Sequence, residues 1–365
     1  MGRAGTLGGM ANHEGVRVDL DGILRQLEAN GFDDVRVEFV AEGVVGPVVV
    51  DAVRRGVGVA NEAAEQQIWG AGVTASVAGA SVKLANMSGP EALDVWLAAF
   101  VGDLGAGGLS GDLRATPVVR LPGWVSQIAD PMVTAYVAVS APGSGGSAGW
   151  CERAVRWAAE AGGGDAYLSS GGMNQVDATG EVAAHLSSLL YASSSSALLY
   201  ADAGASRAAF VQIGANGQAT YQVYDSAASL TARVDRVRAA ILGEAGQAQF
   251  AFVAATPHQA YSWDARGRAV PPLRPEVSAA ALRGNAELWN RFVPDAHGVQ
   301  LLTQEQMSRV ADLSQWAVTE VTSGRFLVEA PDLAEWFRPG GPAKSILDKA
   351  RADFGGALVS ADDLR

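Results

Sequence analysis

The apolar positions of this chain change period several times, and each change marks an element. Ile23, Leu24 and Leu27 fall on one helical face, and Asn30-Gly31 behind them is a left-handed stop signal. Val35, Val37 and Phe39 then alternate with charged residues, the period of a half-buried strand. Val48–Val50 reads as a buried strand and Val73–Leu84 as a strand pair. Ser88 and Pro90 open a helix in which Leu93, Trp96, Leu97, Phe100 and Val101 share one face. Residues 1–15 thus read as a Gly-rich flexible leader, and 16–121 as an N-terminal α+β unit.

A central α+β unit spans 125–260. Val133–Ser140 is strand-like, the Gly/Ser tract Gly143–Gly149 follows, and Trp150, Ala154, Trp157 and Ala161 mark a helix. Val182, Leu186, Leu189 and Leu190 mark another, and Leu198–Asp202 reads as a short strand. Ala208–Ile213 and Thr220–Tyr224 flank Asn216-Gly217, a hairpin signal because a type I′ turn needs positive φ at both central residues. Leu230, Val234, Val237 and Ile241 then line a helix, with Arg233, Arg236 and Arg238 turned outward, and Phe250–Ala254 closes the unit as a strand.

Asp264–Pro275 is a polar, proline-rich stretch, read as a linker. Beyond it, 276–365 reads as a mainly helical unit. Asn285 precedes Leu288, Trp289 and Phe292, Thr303 with Gln306 forms a capping box, and Pro342 opens a final helix stopped at Gly355-Gly356. Val318–Val328 interrupts these helices as a hairpin turning at Ser323-Gly324. The fold class expected is α+β, with mixed or antiparallel sheets, helices packed on one face, and a mainly helical C-terminal region.

Composition narrows the function classes. Hydrophobic residues make up 48% and charged residues 18%, enough apolar material for a sizeable core. The net charge is −12 and no run of Lys or Arg occurs, which argues against nucleic acid and anionic membranes. The lysines are Lys83, Lys344 and Lys349; the rest of the 27 basic residues are arginine, a bias that fits a high-GC bacterial genome. One cysteine, Cys151, makes no internal disulfide, and no apolar stretch approaches the ~20 residues that span a bilayer, so a cytoplasmic protein is expected. Gly2 and Thr6 have myristoylation spacing, but the bacterial composition favours a plain leader or a start at Met10.

The histidines His13, His185, His258 and His297 form no pair at ligand spacing, with each other or with Cys151, so neither a metal site nor a cofactor is expected. Gly145-Gly146-Ser147-Ala148-Gly149 fits G-x-S-x-G, and Asp225 and His258 follow in the order of a hydrolase acid and base. Ser147 as nucleophile is therefore one reading; against it, Pro142 and three further residues separate the strand from the elbow. Gly143, Ser144, Gly145, Gly146 and Ser147, placed between strand and helix, give a second, a phosphate or nucleotide ligand held by backbone amides. Asp295 and His297 are close enough in sequence to bond locally, as a turn would have them. Trp124, Trp263 and Trp336 lie near expected loops, where tryptophans serve recognition surfaces or cap the core. The leading expectation is a non-catalytic bacterial binding or assembly protein that acts through contacts with another protein.

Overall fold

A computed structural model describes residues 11–13, 15–31, 34–43, 47–65, 73–75, 79–85, 90–115, 124, 128, 132–139, 147–164, 166–170, 174–176, 183, 186–187, 190, 196–214, 217–256, 286–338 and 341–364. The chain divides into two compact units: 1–118 with 184–194, and 119–183 with 195–365.

The first unit is built on a six-stranded mixed sheet in the order β1-β2-β6-β3-β5-β4. Its strands are β1 (Ala11–His13), β2 (Val16–Val18), β3 (Asp34–Ala41), β4 (Val73–Ala75), β5 (Gly79–Ala85) and β6 (Gly111–Ala115), interleaved with α1 (Leu20–Ala29), α2 (Pro47–Ala63) and α3 (Pro90–Ala106). β2 and β6 run parallel, whereas β3 is antiparallel to both of its neighbours. α1 begins where the Gly22 amide donates to Asp19 Oδ1 and ends at Asn30, with Gly31 at φ 68°, as its sequence signals required. Val48–Val50, expected as a strand, instead form the first turn of α2. Val49, Val53, Val57 and Ala60 recur at helical spacing and are buried while Val48 faces out, so the period of the whole segment overrides three β-branched residues. Arg36 and Glu38 of β3 are buried too, and Glu38 takes two bonds from the Arg114 guanidinium.

The second unit carries a ten-stranded sheet in the order β15-β16-β14-β13-β7-β12-β11-β10-β8-β9, antiparallel throughout. In chain order these are β7 (Met132–Val139), α4 (Ser147–Gly162), β8 (Ala166–Ser170), β9 (Asn174–Val176), β10 (Ser196–Asp202), β11 (Arg207–Gly214), β12 (Gln218–Asp225), α5 (Leu230–Glu244) and β13 (Ala248–Thr256). α6 (Ala286–Arg291), β14 (Val299–Thr303), α7 (Gln304–Met307), β15 (Ala317–Thr322), β16 (Arg325–Glu329) and α8 (Lys344–Phe354) complete it. The expected β11–β12 hairpin is present. Three residues separate the strands, and the Gly217 amide, at φ 81°, donates to Gly214 O. That is a four-residue turn closing on a left-handed glycine, not the two-residue type I′ turn; Asn216 lies outside the described residues.

Two parts of the expected architecture need correction. Helices do not keep to one face. Tyr221 pairs with Ala135 and meets Trp157 of α4 edge-on at 5.0 Å, which puts α4, and α5 packed beside it, on one side. On the other side Tyr136 stacks with Phe250 and Phe252 in a cluster completed by Trp289 of α6, by Phe292 just after it and by Phe354 of α8. All eight residues of β7 are accordingly buried. Nor is the C-terminal region mainly helical: β14, β15 and β16 extend the same sheet, with Phe252 opposite Gln300 and Gln300 opposite Val328. β14 is buried at every position, so it shows none of the alternation by which a strand is recognised. The proline-rich stretch 264–275 lies outside the described residues, between two strands that are hydrogen-bonded neighbours.

Candidate functional site

Of the residues singled out for catalysis, Ser147 and Asp225 lie at opposite ends of their elements. Ser147 opens α4 beyond the Val139 end of β7. Asp225 closes β12, which runs antiparallel to β7 with Gln218 opposite Ala138 and Val223 opposite Val133, so Asp225 lies beyond the Met132 end. The last turn of α4 points the same way. Arg207, paired in register with Asp225, donates to the carbonyls of Ala161 and Glu160. A 16-residue helix rises about 22 Å, and that length separates Ser147 from the Asp225 end. Asp225 also has other work: it accepts the Ala227 and Ala228 amides and a 2.5 Å bond from Arg236, shaping the turn into α5. Burial alone would raise its carboxyl, but Arg236 and the two amides outweigh that and hold it below the usual carboxylate value. His258 and the tract Gly143, Ser144, Gly145 and Gly146 lie outside the described residues. Cys151 is buried in α4, and desolvation pushes its thiol up to about 12, the environment of an inert packing residue.

The three tryptophans considered for recognition part company. Trp336 is 8% exposed and belongs to the aromatic cluster, 6.1 Å from Trp316, so it is core and not partner surface. Its ring lies over Gly298, where a Cβ would come 2.5 Å from Trp336 Cγ. Gly298→Ala is therefore expected to displace a buried ring and cost about 2 kcal/mol. Thermal unfolding and tryptophan emission check this; an unchanged midpoint would show that the ring has room to move. Trp124 is half-buried and tilted against Tyr224 at 6.2 Å, and Trp263 lies outside the described residues.

Among the buried polar groups of the second unit, two clusters stand out. Gln222 Nε2 donates to Thr134 Oγ1 at 3.1 Å and to Thr256 Oγ1 at 2.9 Å, and the two hydroxyls are 2.6 Å apart. These bonds tie β12, β7 and β13 together and oppose a register slip, which would strand all three groups. The second group surrounds His297. Asp295 accepts two bonds from the Arg351 guanidinium, at 2.9 and 2.6 Å, and one from the Ala296 amide. The His297 ring lies flat on Phe252 with centroids 3.8 Å apart, and its amide donates to Gln300 Oε1. Burial pushes the imidazole down to about 4; Asp295 opposes this and Arg351 adds to it. Among the described residues, His297 Nε2, Gln300 Nε2 and Trp289 Nε1 are buried and have no hydrogen-bond partner. No signal within PDAHG announces this arrangement, because Arg351 lies 56 residues away. Burial thus keeps the imidazole neutral at ordinary pH.

The remaining feature lies at the end of the ten-stranded sheet. The hairpin expected at Ser323-Gly324 is present: β15 pairs with β16, with Gly324 at φ 68°. β15 is the edge, and its residues are exposed on both faces apart from the half-buried Val321. Val318 is 42% exposed although it stands opposite the buried Val328. Among the described residues nothing pairs with the outward backbone of β15. The register shifts between Glu320 and Thr322, so the regular edge is Ala317–Glu320, with one charged side chain. Glu320 Oε1 accepts the Gly324 amide across the turn.

Among the described residues no three His, Cys, Asp or Glu side chains converge as metal ligands would, and no helix is long and apolar enough to cross a membrane. No family model matches the chain, and no curated protein matches it. Among solved structures, the Pseudomonas aeruginosa T6SS protein PA0821 aligns with 63% of this chain and 73% of its own, at 9% identity and a TM-score of 0.39.

Proposed function

We propose that this is a non-catalytic, cytosolic binding or assembly protein that works through protein–protein contacts, and that it binds by adding a partner's strand to β15. One observation carries the reading: an edge strand of β-branched residues, open on both faces, at the end of a large sheet. Soluble proteins blunt such edges with charge, proline, bulges or a covering element, because an open ladder recruits any extended chain. Here a single carboxylate and a bulge at the far end are the restraint, and four residues stay open to pairing. Backbone pairing supplies affinity in such a contact and the flanking side chains supply choice. The separation of Ser147 from Asp225 gives the hydrolase reading no support, and no described side chain favours a phosphate ligand at Gly143–Ser147.

A photo-crosslinking residue at Val318 tests this in cells of the native host. A discrete adduct is expected there, and none from the same probe at Val95, an exposed position on α3. Adjacent residues of a strand point their amides to opposite sides, so either Val318→Pro or Thr319→Pro removes an outward donor and leaves the β16 ladder intact. With the probe moved to Ala317, one of these two variants should abolish the adduct with an unchanged melting temperature. An adduct that survives in both would sink the strand-addition reading.

A further inference from the structure

The open edge has a charge preference as well as a free ladder. Within 286–364, twelve Asp and Glu residues stand against seven Lys and Arg. The seven cations are all engaged. Arg291 and Arg309 meet Glu305, Arg338 meets Glu335, Lys344 meets Asp348, Lys349 meets Asp353 and Arg351 meets Asp295. Arg325 donates to the carbonyls of Ala248 and Gly324. The surplus is acidic, and two of its members mark the edge. Glu320 is on β15, and Asp312, whose carboxylate accepts the Ser314 amide, is in the segment that leads into it. Among the described residues neither has a basic side chain within ion-pair distance, although Lys349 is near enough to help the Ser314 amide hold the Asp312 carboxyl below its usual value.

Val318 and Glu320 are two apart on one strand and project from the same side of the sheet. A strand laid along β15 therefore meets an apolar residue and a carboxylate at consecutive same-face positions. A second copy of this chain is a poor occupant: each copy carries a net charge of −12, and the pairing would bring two such edges together. We propose that β15 takes an extended segment of a different polypeptide, carrying Lys or Arg beside Glu320 and an apolar residue beside Val318. This rests on the strand-addition reading above and adds the chemistry of the partner.

Three synthetic peptides, measured by fluorescence anisotropy against the full chain, test it. They are an eight-residue alternating Thr/Val peptide with one central Lys, the same peptide with Glu in that place, and the Lys peptide N-methylated at alternate residues. An attractive cross-strand pair against a repulsive one should favour the Lys peptide by about fivefold or more. The ratio should shrink at high salt, fall to about one in Glu320→Gln, which keeps an acceptor for the Gly324 amide, and invert in Glu320→Lys. The N-methylated peptide should not bind. Equal binding of the Lys and Glu peptides overturns the charge assignment; if the N-methylated peptide still fails to bind, strand addition stands without it. No binding by any peptide also overturns the assignment, and the crosslinking at Val318 then decides strand addition by itself. A dimer in sedimentation that dissociates in the proline variants would make a second copy the occupant and overturn the proposal.

Discussion

Arg351→Met is expected to lower the stability of the second unit by about 3 kcal/mol. Asp295 is buried, and its two oxygens take both guanidinium bonds, so the substitution keeps a desolvated carboxylate and removes the cation facing it. Arg351 is itself about a third exposed, so water screens part of the pair, and the estimate is set at the lower end of what breaking a buried pair costs. The asymmetry is the test. Asp295→Leu with Arg351→Met removes both charges and should recover most of the loss, since two apolar groups leave nothing unsolvated. Urea unfolding followed by tryptophan fluorescence gives the four corners of a double-mutant cycle. A single variant that loses under about 1 kcal/mol, or a double that is as unstable as the single, would mean that the pair does not hold the α6–β14 connection to α8.

The second large effect concerns pH. His297 holds its proton only below about 4 in the folded protein, whereas an unfolded-chain histidine titrates near 6.5. Above pH 6.5 neither state binds the proton and the stability is complete. As pH falls through 6.5 the unfolded chain takes up a proton that the native state refuses, and stability drops with it. The drop ends near pH 4, where the native imidazole also protonates. Over that window the loss amounts to about 3 kcal/mol. His297→Leu removes the titration, so its urea midpoint should change far less than the wild type's between pH 7 and pH 4.5. Parallel slopes for the two proteins across this window would show that the imidazole is solvated and that other groups set the acid limit.

Both effects arise from contacts the sequence does not display, and the reason is distance along the chain. α1 with its Asn30-Gly31 stop, the α3 stripe and the capping box at Thr303 and Gln306 were legible because each is settled within about four residues. Val48–Val50 misled because three β-branched residues outweigh helical spacing when the window stops at Val50, whereas Val53, Val57 and Ala60 restore it. The C-terminal strands were underestimated for another reason. Val299–Thr303 is one short apolar run followed at once by a capping box, and periodicity over five buried residues cannot separate a strand from a helix. Of the proposed site, the hairpin over Val318–Val328 was readable from its turn at Ser323-Gly324. Its exposure was not, since Ala317–Thr322 mixes apolar and β-branched polar residues with no period that assigns a covered face, and only the strand order shows that β15 has one neighbour.

The adjacency of β13 and β14 bears on how this protein can be taken apart. The most inviting place to cut, 264–275, falls between two strands that share a ladder from Ala251–Leu301 to Val253–Val299. A fragment stopping there would carry a raw seam of amides and carbonyls along Phe250 and Phe252, with Trp289 and Phe354 stripped from above them. The strands β14, β15 and β16 are thus a flank of the sheet, and a fragment that carries them without β13 is expected not to fold as a portable module.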